Sequence, residues 1–400
     1  MKNILFVYTD NFHPERGGVG RVTNMLTLEL QKRGYNVFYL IYDGEFFPRW
    51  DYNHPAPLTY LPSKNASYEE NVRAYREYLE EHKIDIVINQ SGNFMVSKLW
   101  LDTGNLNVRI ISVLHSTPWV AYKNLFSSEV FPLRNDSFKE KLKRLARIIL
   151  YPRLKLDYYK SRRNHFNWLL PKVDTLCMLS QNHYAEVNEI YGNDNYKYKY
   201  RSIPNPNSYT EERLAATKCT KKKQVLFVGR FSSEKRADRI LKIWNKIGPR
   251  YPDWELIMVG DSNKKALVAQ LKGLVRNISN VRFTGFCDPL PYQQSSAILC
   301  MTSSYEGFPM ALTEAMQCGC VPMAFDSFGA LHDVIENGRN GVIVKAFDIK
   351  AYTRELCRLM DDTEYREKLA ANAQQDVKKF SVKKVVDRWE ELFDEIYGDK

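Results

Sequence analysis

The sequence predicts an α/β protein made of two doubly wound, parallel-sheet domains facing across a cleft. Short Val/Ile/Leu/Phe runs alternate with longer amphipathic stretches, the pattern of strands covered by helices on both faces. A chain of 400 residues suits two or three domains at roughly 150 residues each. A polar segment with two prolines and four lysines, PNPNSYTEERLAATKCTKKKQ, separates two sets of such runs and reads as a linker. The expected division is a first domain over 1–205, a linker over 206–223, a second domain over 224–378 and a helical tail over 379–400.

Along the chain, the expected strands of the first domain are NILFVY, NVFYLIY, IDIVINQ, RIISVLH and VDTLCMLS. The opening run MKNILFVYTD stops at Asp10. A signal peptide would need a longer apolar core and a small-residue cleavage site, so a buried first strand is the better reading. HPERGGVGRVTNMLTLELQKRG follows as a Gly-rich turn and a helix ending at Gly34. The second domain has QVLFVGR, ELIMVG, VRFTGF, AILCMTS, VPMAFDS and NGVIVKA. The tail FSVKKVVDRWEELFDEIYG carries Val385, Trp389 and Phe393 on one helical face, which suits a helix packing back across the domains.

The net charge is +11, and residues 139–163 alone hold ten basic and two acidic side chains, or +8. Leu142, Leu145, Ile148 and Ile149 recur there at helical spacing, with Lys and Arg on the other face and Tyr151, Tyr158, Tyr159 and Trp168 interleaved. Such a helix suits an anionic membrane surface at ~1 kcal/mol per nearby cation. It suits equally a solvated helix packed on its own domain. Nucleic acid ranks last as a partner, because no helix-turn-helix, zinc-finger or RNP-type motif accompanies the charge. No apolar stretch approaches the ~18–20 residues that cross a bilayer. The seven cysteines form no Cys-x-x-Cys pair and several lie inside apolar runs, as reduced core thiols do. These features point to a cytoplasmic protein, with the inner face of the cell membrane as the surface the basic segment would meet.

Chemistry concentrates in AILCMTSSYEGFPMALTEAMQCGCVPMAFD. A strand ends near Ser303, a polar turn follows, and Pro309 suits the first turn of a helix that Gly319 stops. The helix N-terminus offers unpaired N–H groups and a positive dipole end, a natural seat for phosphate. Glu306 and Glu314 flank that seat with seven residues between them. Carboxylates repel phosphate, so they read either as acceptors for sugar hydroxyls on either side of a diphosphate or as acids favouring a helix start. Arg230, at the end of QVLFVGR, and Lys235 add a pair of cations suited to a diphosphate leaving group.

GGVGR near the N-terminus, VGRFSSEKR after the linker and EGFPMALTEAMQCGCVPMAFD together resemble the retaining glycosyltransferases of the GT-B fold. The resemblance is to the large fourth family, whose pattern is Glu, seven residues, Glu. It takes in IPNP and NGVIV as well, spans nearly the whole chain, and is more specific after the linker than before it. It implies that Glu306 bonds the donor sugar's hydroxyls and Glu314 the ribose. Arg230 and Lys235 would hold the diphosphate, with backbone N–H groups of Gly307, Phe308, Pro309's neighbours Met310 and Ala311, and Leu312. Gly17 and Gly18 would bring the first loop close to phosphate or acceptor. His115 would sit beside the reacting centre, and Gly285 and Phe286 would border the nucleobase. One departure stands out: the family usually has Lys-Gly where this chain has Lys235-Arg236, whose arginine either adds a contact or points to solvent.

The implied reaction moves a hexosyl unit from a nucleotide diphosphate sugar to a glycan or lipid-linked acceptor with retention of configuration, in polysaccharide or surface-glycan assembly. No Asp-x-Asp occurs, so neither a metal nor another cofactor is expected. Cations and a helix N-terminus would neutralise the leaving group instead. In that family the departing diphosphate is thought to deprotonate the acceptor on the same face, without a carboxylate nucleophile. A dehydrogenase is disfavoured because GGVGRV lacks the third glycine of its fingerprint, and no P-loop motif occurs. A glycan phosphorylase would need a pyridoxal lysine, for which none stands out. The alternative of another class is a nucleotide-sugar-binding adaptor on a membrane surface, without transfer activity.

Overall fold

The computed structural model describes residues 2–9, 12–15, 17–42, 52–62, 67–92, 96–118, 138–192, 194–216 and 219–398. The chain packs as two units. The first comprises Met1–Pro118, Tyr158–Ser208 and Phe380–Lys400, the second Trp119–Asp157 and Tyr209–Lys379.

The first unit holds β1 (Asn3–Tyr8), β2 (Asn36–Ile41), β3 (Leu58–Tyr60), β4 (Ile86–Asn89), β5 (Arg109–Leu114), β6 (Thr175–Met178) and β7 (Tyr200–Ser202). They form one parallel sheet in the order β3-β2-β1-β4-β5-β6-β7. The five expected strands are all there, as β1, β2, β4, β5 and β6. The two that the sequence pattern did not single out, β3 and β7, are the three-residue edges. Central strands read as continuous apolar runs because helices cover both faces; Ile4, Leu5, Phe6 and Val7 are all fully buried.

The second unit holds β8 (Lys222–Val228), β9 (Glu255–Val259), β10 (Val281–Gly285), β11 (Ser296–Met301), β12 (Val321–Asp326) and β13 (Val342–Lys345). Their order, β10-β9-β8-β11-β12-β13, is again all parallel. All six match expected runs. Trp244, Trp254, Phe325 and Tyr352 fill the core between sheet and helices.

In each sheet the order reverses beside the first strand, between β1 and β4 and between β8 and β11. The loops leaving the carboxyl ends of such strands diverge there and leave room for a ligand.

The helix Gly18–Lys32 follows β1, and Gly34 turns the chain at φ 90° just beyond it. The tail helix Val382–Gly398 buries Val385, Trp389 and Phe393, as the spacing indicates. It packs on the helix Gly18–Lys32, and Arg33 pairs with Asp387 at 2.7 Å. Tyr397 Oη donates to the Asp85 carbonyl at 2.9 Å.

The basic segment forms two helices, Phe138–Ile149 and Tyr151–Leu169. Phe138, Leu142, Leu145 and Ile149 are all exposed, so the apolar row of the first of these helices is not packed away.

Candidate active site

Backbone approach at the second switch point begins with Gly260. A Cβ there would lie 2.0 Å from the Gly229 carbonyl oxygen, and its φ is +144°. Only glycine lets the turns after β8 and β9 come this close. Gly229 N–H donates to Val259 O at 3.0 Å and Phe231 N–H to Asp261 O at 2.8 Å.

The turn after β8 is also stitched to the loop after β11. Ser304 N–H donates to Glu234 O at 2.6 Å. Thr302 Oγ1 donates to Arg236 O at 3.0 Å, and Arg239 Nη1 to Thr302 O at 2.9 Å. This stitching brings together Lys235 and Glu306, 71 positions apart in sequence. Lys235 Nζ donates to both carboxylate oxygens, at 2.7 and 2.6 Å, and Ser303 Oγ donates to Oε1 at 2.6 Å. Glu306 is only 8% exposed. Arg230, by contrast, is 78% exposed and pairs with Glu234 at 3.0 Å. The two cations expected to converge on one diphosphate therefore hold different carboxylates.

Arg236 does not point to solvent. It is buried in the left-handed conformation, φ 52° and ψ 47°, as the cap of the helix Ala237–Ile247. Its guanidinium donates to both oxygens of buried Asp238, at 2.8 and 3.1 Å. A glycine-compatible backbone explains why Lys-Gly suits this position, and Asp238 explains how an arginine is accommodated.

The helix after the polar turn runs Met310–Gln317, with Pro309 as its cap rather than its first-turn residue. Gly319 turns the chain after it at φ 69°. Met310 N–H donates to Phe308 O and Leu312 N–H to Pro309 O, both at 2.9 Å. Two of the N–H groups expected to cradle phosphate are thus spent on the turn itself, because a proline cap tightens it. Gly307, Phe308 and Ala311 share that turn.

Glu314 lies on this helix, 3% exposed, and Gln293 Nε2 donates to its Oε2 at 3.5 Å. Gln293 Oε1 in turn accepts from Tyr209 Oη at 2.6 Å. Tyr209 is clasped by Gln317, whose Nε2 donates to Tyr209 O at 2.9 Å. Sequence reasoning missed both Tyr209 and Gln293. Gly285, φ 76°, ends β10 and accepts from Gly260 N–H at 2.9 Å; Phe286 beside it is 73% exposed.

The remaining expected residues belong to the first unit. His115 follows β5, and its Nε2 bonds the side-chain oxygen of Gln90, which follows β4. Gln90 Nε2 donates to Thr23 Oγ1 at 3.1 Å. Burial pushes the His115 pKa down to about 4, so the ring is neutral at pH 7, with Nε2–H facing the Gln90 oxygen. Gly17 caps the helix Gly18–Lys32 in an extended conformation, and a Cβ there would meet nothing within 4 Å. The glycine this loop needs is Gly20, where a Cβ would come within 2.7 Å of His13 O. The signal lay in the third glycine of GGVG. Among the described residues, no group of three His, Cys, Asp or Glu could hold a metal ion.

The model of glycosyl transferases group 1 matches residues 209–376, and that of glycosyltransferase family 4 matches 16–206. An uncharacterized glycosyltransferase of Haemophilus influenzae is 24% identical over 93% of this chain and 95% of its own length. A Campylobacter jejuni α-N-acetyl-D-galactosaminyltransferase, named for a PP-undecaprenol-linked glycan, is 22% identical over 84% of this chain and 82% of its own. Among solved structures, Anabaena HepE in complex with UDP superposes with TM-score 0.73 at 16% identity, over 99% of this chain and 100% of that one. Two parallel α/β units, matched by the two models over 16–206 and 209–376, place the chain in the group 1 and family 4 glycosyltransferases of the GT-B fold.

Proposed function

We propose that this glycosyltransferase moves a hexosyl unit from a nucleotide diphosphate sugar to a glycan or lipid-linked acceptor, with retention of configuration. The observation that carries the reading is the Lys235–Glu306–Ser303 cluster beside the N-terminus of the helix Met310–Gln317. It pairs a cation with a hydroxyl-accepting carboxylate in the segment that leads into that helix, whose N-terminus is a positive dipole end. Lys235, Arg230 and the helix N-terminus would take up the charge that develops on the leaving diphosphate, so no metal is needed. Buried Glu314 would accept from the ribose. The departing phosphate would take the acceptor's proton on the same face.

HepE has also been solved with UDP-glucose, which supports a nucleotide-sugar donor. The Campylobacter relative supports a lipid-linked acceptor; a setting in polysaccharide or surface-glycan assembly is part of the same proposal. The adaptor reading without transfer is not favoured by this family assignment.

We also propose that the protein works at the inner face of the cell membrane, as a peripheral protein. No described helix is long and apolar enough to cross a membrane. The exposed row Phe138, Leu142, Leu145 and Ile149 instead runs beside Lys139, Lys141, Lys143 and Arg147, the make-up of a helix lying on anionic lipid.

Thermal unfolding against UDP, GDP, ADP and CMP, beside Glu314→Ala, tests the donor site. A ligand at 100 times its Kd stabilises by ~2.7 kcal/mol. One nucleotide should shift the native protein and not the variant; no shift with any would sink the reading. NMR of the product's anomeric carbon then decides retention, and activity undiminished in EDTA decides metal independence. Vesicle co-sedimentation unchanged by Lys141→Glu/Lys143→Glu/Arg147→Glu would exclude the membrane contact.

A further inference from the structure

Lys235 and Glu306 are assigned to different parts of the donor, yet here they hold each other. Lys235 Nζ spans both Glu306 oxygens, and the pair is shielded: the side chains are 24% and 9% exposed. The carboxylate's other donor shown here is Ser303 Oγ, itself buried. We infer that the Lys235–Glu306 pair is a self-competing latch that makes the site favour a nucleotide carrying a sugar over the same nucleotide without one, with Ser303 as the residue that positions Glu306. The inference rests on the donor-site reading above.

The argument is an exchange balance. Drawing Lys235 onto a diphosphate leaves Glu306 with one hydroxyl donor in a buried place, and a buried charge stripped of its partner is costly. A nucleotide sugar compensates both partners at once: phosphate oxygens meet the ammonium while sugar hydroxyls donate to the carboxylate. A nucleoside diphosphate satisfies the lysine only. It must either leave the pair intact and forgo Lys235, or break it and strand Glu306. After transfer the sugar departs with the acceptor, the carboxylate loses its hydroxyl donors, and re-formation of the pair helps expel the nucleotide. Arg230 is not restrained this way, since its partner Glu234 pairs with it in an exposed setting.

This predicts that a variant lacking a catalytic carboxylate binds product more tightly. Calorimetric titration of UDP, GDP and ADP into the wild type, Glu306→Gln, Ser303→Ala, Lys235→Met and the Glu306→Gln/Lys235→Met double variant tests it. Glu306→Gln should tighten binding of the cognate diphosphate about tenfold, or ~1.4 kcal/mol, while abolishing transfer. The gain should vanish in the Lys235→Met background, as a pairwise coupling must. Ser303→Ala should act in the opposite direction, because Glu306 then leans wholly on Lys235, and this decides the matter if Glu306→Gln misfolds. Binding to the wild type that Glu306→Gln leaves unchanged or weakens overturns the latch alone. Absence of binding to every form overturns the donor site with it.

Discussion

Replacing Arg236 by glycine, the residue usual at this position in the family, should destabilise the protein. The substitution has two opposed effects. It relieves a left-handed backbone at φ 52°, worth about 1 kcal/mol for a residue with a Cβ. It also removes the bidentate partner of Asp238, whose side chain is 2% exposed. Breaking a buried pair from one side costs about 3–5 kcal/mol. Here the cost falls toward the lower end of that range. Lys242 still reaches Asp238 at 3.1 Å, the carboxylate sits in the first turn of its helix, and Arg239, whose pKa burial lowers first of all, loses a like-charged neighbour that lowers it further. The net loss is about 2 kcal/mol, and at ~2–4 °C per kcal/mol the melting temperature should fall by roughly 4–8 °C. Differential scanning calorimetry of Arg236→Gly, Asp238→Asn and the double variant reads it. Asp238→Asn in the glycine background should recover most of the loss, because no stranded charge then remains. A glycine variant as stable as the wild type would refute the reasoning, and would mean that relief of backbone strain fully offsets loss of the ion pair.

Other outcomes follow from the same geometry. Gly260→Ala should cost ~3 kcal/mol, since its Cβ would overlap the Gly229 carbonyl, and should weaken nucleotide binding by moving the turn that carries Lys235. Gln293→Leu should raise the nucleotide Kd several-fold while leaving the fold intact, because Gln293 tethers Glu314 to Tyr209; unchanged affinity by titration would remove it from the site. Stability should fall with acid below pH 6.5. Burial holds His183 near pKa 4, and neither ring nitrogen has a hydrogen-bond partner among the described residues. The folded pKa lies below the ordinary histidine value, so the unfolded chain binds the extra proton between pH 6.5 and 4. Each such histidine then removes up to ~1.4 kcal/mol per pH unit across that window. Urea melts at pH 7 and pH 5 check this, and a His183→Gln protein should show a shallower slope.

What the sequence made legible was local. The strand–turn–helix around Glu306 and Glu314 is contiguous, so its spacing shows through, as do the long apolar runs of the central strands. The edge strands β3 and β7 did not, because three residues such as Leu-Thr-Tyr, half-buried throughout, make no periodic signal. Nor did partnerships between distant positions. Tyr209 sits in a polar stretch that reads as linker, yet it bonds Gln293 84 positions away. Lys235 and Glu306 were each readable as site residues, but their pairing arises only when β11 docks beside β8.

The tail helix has a consequence for how the molecule is made. Domains generally fold as units while the chain emerges from the ribosome, the earlier ones first. Here the first unit borrows Val385, Trp389 and Phe393 from the far end of the chain. Residues 209–379 can be complete and folded while the first unit still lacks one of its walls. Folding order during translation should therefore run against sequence order, with the unit begun first finished last. A nascent chain stalled near residue 380 should leave the helix Gly18–Lys32 with an uncovered apolar face, and there the chain would most need a chaperone.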